Sequence, residues 1–231
     1  LRNIFQISTL VFFPVVADKY KTWKDLDGEP FTFHARGTAT EAYGNVIAKR
    51  EGIEFGQRSY VPGSENRVVA MLNGTISATL LDLSNKNLLL EKGGDKFHVL
   101  PGLNENVSDE ILFANENWIK DHQKAADVLT TELLKFWREI NKDPSIVEKE
   151  RVARGLLEDL PKEELSEVDE YYAQGVEAGL WGTAGASDEI ARNDFAFYVD
   201  AGQMDGPADS LKVQDYWDFG PISAAKDALG D

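Results

Sequence analysis

The strongest constraint on the fold is a repeated strand–loop–helix unit in the first half of the chain. Phe31 to Ala35 is a short β-prone run, followed by Arg36-Gly-Thr-Ala-Thr40 and a helix-like stretch to Glu51. Gly52 stands where the glycine that ends a helix belongs. Arg58–Val61 then predicts a second strand, Pro62-Gly63 a turn, and Ser64 the start of a helix with Val68, Val69, Ala70, Met71 and Leu72 as its apolar residues. Thr75–Leu81 and Lys96–Leu100 predict third and fourth strands. Strands separated by single helices imply right-handed crossovers and a mostly parallel sheet, so the expected fold class is α/β.

From about Ile111 the pattern changes. Ala125, Val128, Leu129, Leu133, Phe136, Trp137 and Ile140 recur at helical spacing and predict one long amphipathic helix that Asp143-Pro144 ends. Further helices are expected through Val168–Val176, through Ile190–Ala201 with Gly202 closing it, and at the tail. The chain thus divides into an α/β lobe over 15–112 with a parallel-type sheet, and a mainly helical remainder made of 1–14 and 113–231. Those helices must bury their apolar stripes against something. Because Leu1 opens directly in strand-like sequence, further sequence upstream is expected.

Charge and composition remove several function classes. A net charge of −16 disfavours nucleic acid, which needs a basic face. It disfavours anionic lipid for the same reason. With no cysteine there are no disulfides, thiolate metal sites or cysteine nucleophiles. His34, His98 and His122 are scattered, with no partner at metal-ligand spacing, so neither a metal nor a cofactor is expected. The carboxylates from Glu158 to Glu170 read as a solvated helical face.

In an open parallel sheet, ligands bind beyond the carboxyl ends of the strands. Three such junctions supply the candidate ligand-binding residues: Gly37, Thr38 and Thr40 at the first, Ser64 at the second, and Asp82 at the third. Glycine permits close backbone approach, hydroxyls donate, and the first amides of a helix favour negative charge. Ordinary helix capping is the competing role for each. Arg36 and Arg67 are the nearest cations, and a surface role is the expectation for both.

Taken together, several segments resemble the periplasmic substrate-binding proteins of the nitrate, sulfonate and taurine ABC-transporter group (SsuA-like), which includes the thiamine-pyrimidine (NMT1/THI5-like) receptors. They are Thr22–Gly28 (TWKDLDG), the Gly37–Thr40 junction, Val69–Gly74 (VAMLNG), Ile111–Asn115 with Trp118, and Phe197–Gly202 leading to Val213–Trp217. Glu29 and Ser77 depart from the group's usual Lys and Asp. The resemblance implies a two-lobed fold with one lobe complete and the other lacking its N-terminal sheet, which would lie upstream of Leu1. Leu10–Ala17 would be one crossing strand and Ile111–Asn115 the return. It implies a monomeric, non-enzymatic receptor in the periplasm or at the cell surface, free or lipid-anchored. Such a receptor captures a small polar or anionic solute (sulfonate, nitrate-like or pyrimidine-like) and hands it to the membrane permease of an ABC importer. Gly37, Thr38, Thr40, Ser64 and Asp82 would line its visible half-pocket. Two alternatives share the architecture: the effector domain of a LysR-type transcription regulator and a THI5-like pyrimidine synthase, which relies on a cysteine-rich motif.

Overall fold

A computed structural model describes the backbone of residues 1–231 and every side chain except those at 162–164, 166–167 and 169. The carboxylate run from Glu158 to Glu170 therefore lies partly outside the described residues. The chain forms two compact units, one of residues 1–10, 106–194 and 209–231, the other of 11–105 and 195–208. They are called unit 1 and unit 2.

Unit 2 is built on five strands: β2 (Phe13–Ala17), β3 (Pro30–Phe33), β4 (Gln57–Tyr60), β5 (Ala78–Leu81) and β6 (Phe97–Val99), in the order β4-β3-β5-β2-β6. The four strands expected from the sequence, β3 to β6, all run in one direction, so the sheet is mostly parallel as expected, with β2 inserted antiparallel. β3 pairs parallel with β4 and β5, whereas β2 runs antiparallel to both β5 and β6. The reason is connectivity. β2 is the first strand of unit 2, so no crossover helix within the unit leads into it and fixes its direction. Pro14 is tolerated in a central strand because the β2 ladder with β6 covers only Val15–Ala17.

Helices α1 (Ala39–Glu51), α2 (Ser64–Leu72) and α3 (Leu83–Gly93) each follow a parallel strand. Gly52 ends α1 in the left-handed region at φ 62°, donating to Ala48 O and Lys49 O, as a C-terminal glycine should. Gly44 lets α1 lie directly on β3, since a Cβ there would come within 2.3 Å of the Phe33 ring. Phe31, Phe33 and Phe55 form the aromatic centre, with ring centroids 4.5–5.9 Å apart. The buried stripe of α2 is Arg67, Val68 and Met71, so Val69 and Leu72 are exposed, contrary to the apolar face expected.

The segment 195–208, expected with the helical remainder, belongs to unit 2. It is tied to α1, where Asn45 Nδ2 donates to Ala201 O at 2.9 Å, Gln203 Nε2 to Thr38 O at 3.2 Å, and Lys49 pairs with Asp200.

Unit 1 contains one antiparallel pair, β1 (Arg2–Gln6) with β7 (Ile111–Ala114). Around it are α4 (Glu116–Asp121), α5 (Gln123–Lys142), α6 (Ile146–Ala153), α7 (Lys162–Glu177), the first half of α8 (Asp188–Asp200) and α9 (Gly220–Leu229). α5 ends before Asp143-Pro144, as the sequence requires. It buries Ala126, Thr130, Leu134 and Ile140 and packs on α9, where Thr130 Oγ1 donates to Pro221 O at 3.0 Å. Val128 and Leu129, placed on the apolar face by periodicity, are 54% and 44% exposed. Among the described residues no helix is long and apolar enough to cross a membrane.

Candidate functional site

Parallel pairing of β3 with β4 and β5 brings the carboxyl ends of these three strands to one edge of the sheet. The five sequence-chosen residues stand in the loops and helix starts that leave that edge.

At the first junction Gly37 takes φ 72°, a conformation glycine adopts without Cβ strain. Its amide donates to Glu41 Oε2 at 2.7 Å. Thr38 precedes α1 in extended conformation without capping it through its side chain. Its hydroxyl donates instead to Ala35 O at 2.7 Å. The Thr40 hydroxyl, buried, accepts from the His34 amide at 3.1 Å and lies 3.1 Å from Thr38 Oγ1. With the Thr38 hydrogen given to Ala35, the Thr40 hydrogen turns to Thr38. Both hydroxyls thus hold the loop in shape. The donors left open by helix geometry are the first-turn amides of α1, which have no acceptor one turn back.

Glu41 occupies the same turn. Its carboxylate also accepts from the Tyr60 hydroxyl at 2.6 Å, with Arg58 4.0 Å away. Burial pushes this carboxyl up, but the Tyr60 and Gly37 donors, with Arg58 and Arg36, bring it below its ordinary value. Arg36 stacks over the Tyr60 ring at 4.8 Å.

The second and third junctions meet on Arg67, which the sequence reading placed at the surface. It is 1% exposed. Nε donates to Leu80 O at 3.2 Å, Nη1 to Val61 O at 2.9 Å, and Nη2 to Leu80 O at 3.1 Å and Ser64 Oγ at 2.8 Å. No carboxylate comes within ion-pair distance of it among the described residues. Asp82 and Glu65 act on it from further off, while burial pulls its pKa below the ordinary value. A buried cation held by neutral oxygens keeps its positive charge at this edge, partly offset by the Asp82 and Glu65 carboxylates. Position 67 shares a helix face with 64, 68 and 71, so helical spacing carries the signal that would have found it.

His34 links the first junction to the second. The Gly63 amide donates to its Nδ1 at 3.2 Å, and Arg67 Nη1 lies 3.5 Å from the same atom. With Nδ1 accepting, the ring hydrogen sits on Nε2 and is a donor. Ser64 Oγ accepts from Arg67, which frees its own hydrogen to donate elsewhere. Asp82 caps α3, Oδ1 accepting from the Asn85 amide at 3.0 Å while Asn85 Nδ2 reaches both oxygens. The edge thus combines hydroxyl, imidazole and amide donors around a buried guanidinium. Among the described residues no group of three or more potential ligands is disposed to hold a metal.

No protein-family model matches the chain, and no curated protein sequence matches it. Solved structures do match. One is from Bordetella bronchiseptica RB50, 17% identical, covering 100% of this chain and 75% of that one, with a TM-score of 0.73. Another is a putative sulfonate ABC transporter protein, the periplasmic sulfonate-binding protein SsuA of Methylobacillus flagellatus KT. It is 16% identical, with coverage of 99% and 69% and a TM-score of 0.62. The periplasmic nitrate-binding protein NrtA of Synechocystis PCC 6803 is 11% identical, with coverage of 99% and 68% and a TM-score of 0.66. At these identities the likeness establishes the fold. The chain has the α/β fold of the periplasmic binding proteins of ABC importers, as the sequence resemblance implied.

Proposed function

We propose that this chain is an extracytoplasmic solute-binding receptor that captures a small polar or anionic organic solute and delivers it to the permease of an ABC importer. It binds without performing chemistry. The neighbours with this fold include proteins named for sulfonate and nitrate binding, which supports the role and the solute class. Sulfonate, nitrate-like and pyrimidine-like solutes all fit a donor-rich site.

The observation that carries the proposal is the strand-end edge of unit 2. Ser64 O–H, His34 Nε2–H and the first-turn amides of α1 offer donors beside a buried Arg67 that, among the described residues, has no carboxylate partner in ion-pair range. On this reading Gly37 and the α1 amides approach the solute, Thr38 and Thr40 shape the loop, Ser64 donates, and Asp82 holds α3 in place.

The test is thermal unfolding with sulfonates, nitrate, pyrimidines, flavins and dicarboxylates. A true solute at about a hundred times its Kd adds about 2.7 kcal/mol, raising Tm by about 5–10 °C. Ser64→Ala, which removes one donor, is expected to weaken that solute about tenfold. A folded sample that none of these solutes stabilises defeats the proposal, and unchanged affinity in Ser64→Ala removes Ser64 from the site.

A further inference from the structure

Unit 1 also buries a charge, under different terms. Asp194 in α8 is 6% exposed and Gln6, at the end of β1, is 1% exposed. Ser108, equally buried, joins them. Gln6 Nε2 donates to Ser108 Oγ at 3.0 Å, the Ser108 amide donates to Asp194 Oδ1 at 2.7 Å, and the Ser108 hydroxyl bonds the same carboxylate. A hydroxyl that gives its hydrogen to a carboxylate must accept from its other neighbour, which fixes the Gln6 amide with Nε2 toward serine. Gln6 Oε1 and Asp194 Oδ2 then remain at the two ends of this hydrogen-bonded series, both buried and both, among the described residues, without a hydrogen-bond partner.

Buried polar atoms are almost always paired, and an unpaired carboxylate oxygen is among the costliest exceptions. Among the described residues no Lys, Arg or His forms an ion pair with Asp194. Burial pushes its carboxyl up to about 6, against the pull of the Ser108 amide and hydroxyl, so the group is still mainly ionised at neutral pH. Both orphaned atoms are acceptors. A guest that satisfies them must therefore bring at least two hydrogens, and the carboxylate favours one that also brings positive charge. Position 182 bears on the same atom, since a Cβ on Gly182 would approach Gln6 Oε1 to 3.0 Å. Glycine keeps that face of the oxygen free of side chain.

We propose that Gln6, Ser108 and Asp194 form a recognition site for a small cation with N–H donors, an ammonium or primary-amine group. It shares no residue with the strand-end cluster of unit 2, so it stands or falls independently of the receptor reading. A water molecule could supply the hydrogens but not the charge, and the test separates the two.

The full chain is titrated with methylammonium chloride at about pH 8, where the Asp194 carboxyl is ionised. Tetramethylammonium chloride, equal in charge but without an N–H, is the control at matched ionic strength. The Ser108 amide and the Gln6 side-chain amide are followed by proton–nitrogen NMR. Methylammonium should move both resonances saturably and tetramethylammonium should not. Asp194→Asn replaces a charged acceptor with a neutral amide and should weaken methylammonium at least about tenfold. Gly182→Ala crowds Gln6 Oε1 from outside the network and should weaken it as well, which covers the case that Asp194→Asn does not fold. Equal effects of the two salts, or no effect of either, would overturn the proposal. So would a folded Asp194→Asn protein that keeps the wild-type response.

Discussion

Among the described residues each unit buries one charged side chain in a network of polar neighbours, and the two networks solve the problem in opposite ways. In unit 2 the guanidinium of Arg67 spends its hydrogens on Leu80 O, Val61 O and Ser64 Oγ. In unit 1 the carboxylate of Asp194 is bonded at Oδ1 by Ser108 and left open at Oδ2. A fully bonded buried charge is a structural tie. A half-bonded one is a destabilising element unless something else completes it. Opposite consequences for stability follow from removing the two charges.

The largest effect is expected for Arg67→Met. The side chain fits the same helix face, but Leu80 O and Val61 O lose their donor in a buried setting. At about 1–3 kcal/mol per orphaned buried group, unit 2 should lose about 3–5 kcal/mol. Fluorotryptophan labelling with urea unfolding resolves this, because Trp23 is the only tryptophan of unit 2 and the other four belong to unit 1. Arg67→Lys, with three donors on a point charge, should recover part of the loss. A Trp23 transition that does not move would end the description of Arg67 as a tie between strand ends.

Asp194→Asn should move stability the other way, and only at high pH. The folded carboxyl is raised from 3.8 to about 6, chiefly by burial. Between those values the folded state binds the proton more tightly than the unfolded chain. Stability therefore falls as pH rises through this window, and the cost is complete above about 6. The shift corresponds to about 3 kcal/mol. Asparagine cannot ionise and avoids that cost, so Asp194→Asn should gain up to about 3 kcal/mol at about pH 8 and little near pH 4. Urea unfolding at the two pH values reads the difference directly, and a gain of equal size at both would separate it from ionisation.

The contrast also explains what the sequence could reveal. Strand–glycine–helix punctuation placed β3, β4, β5 and the helices after them, because local backbone chemistry at Gly37, Gly52 and Gly63 dictates those turns. The direction of β2 was not legible, because no helix of unit 2 leads into it and its pairing is set by long-range contacts. The strand-end loops that carry Gly37, Thr38, Thr40, Ser64 and Asp82 were found by rule, since helix starts after parallel strands mark themselves. Arg67 and Asp194 were missed for one reason. Charged residues are mostly exposed, and only tertiary packing reveals the ones that are not. For Arg67 the spacing with Ser64, Val68 and Met71 was a usable sign. For Asp194 the partners Gln6 and Ser108 lie far away in sequence, and nothing local points to them.

The smallest effect sharpens the comparison within unit 2 itself, where Glu41 works against the positive character of the edge. Its carboxylate lies in the first turn of α1, where an incoming anion would gain most from free amides. Glu41→Gln keeps the shape and still offers one oxygen to Tyr60 or Gly37, so the stability loss should be only about 1 kcal/mol. Removing the negative charge should tighten an anionic solute by a few-fold while leaving a neutral one unchanged, since the first-turn field is worth about 0.3–1 kcal/mol. The same substitution has a reporter independent of any solute. The Tyr60 hydroxyl is raised above its ordinary value first by its hydrogen bond to Glu41. Loss of the carboxylate should therefore bring the Tyr60 titration back down, visible by ultraviolet absorbance. If Tyr60 shifts and anion affinity does not, the carboxylate is a strut for the Gly37 loop, and the positive edge around Arg67 does not choose the solute's charge.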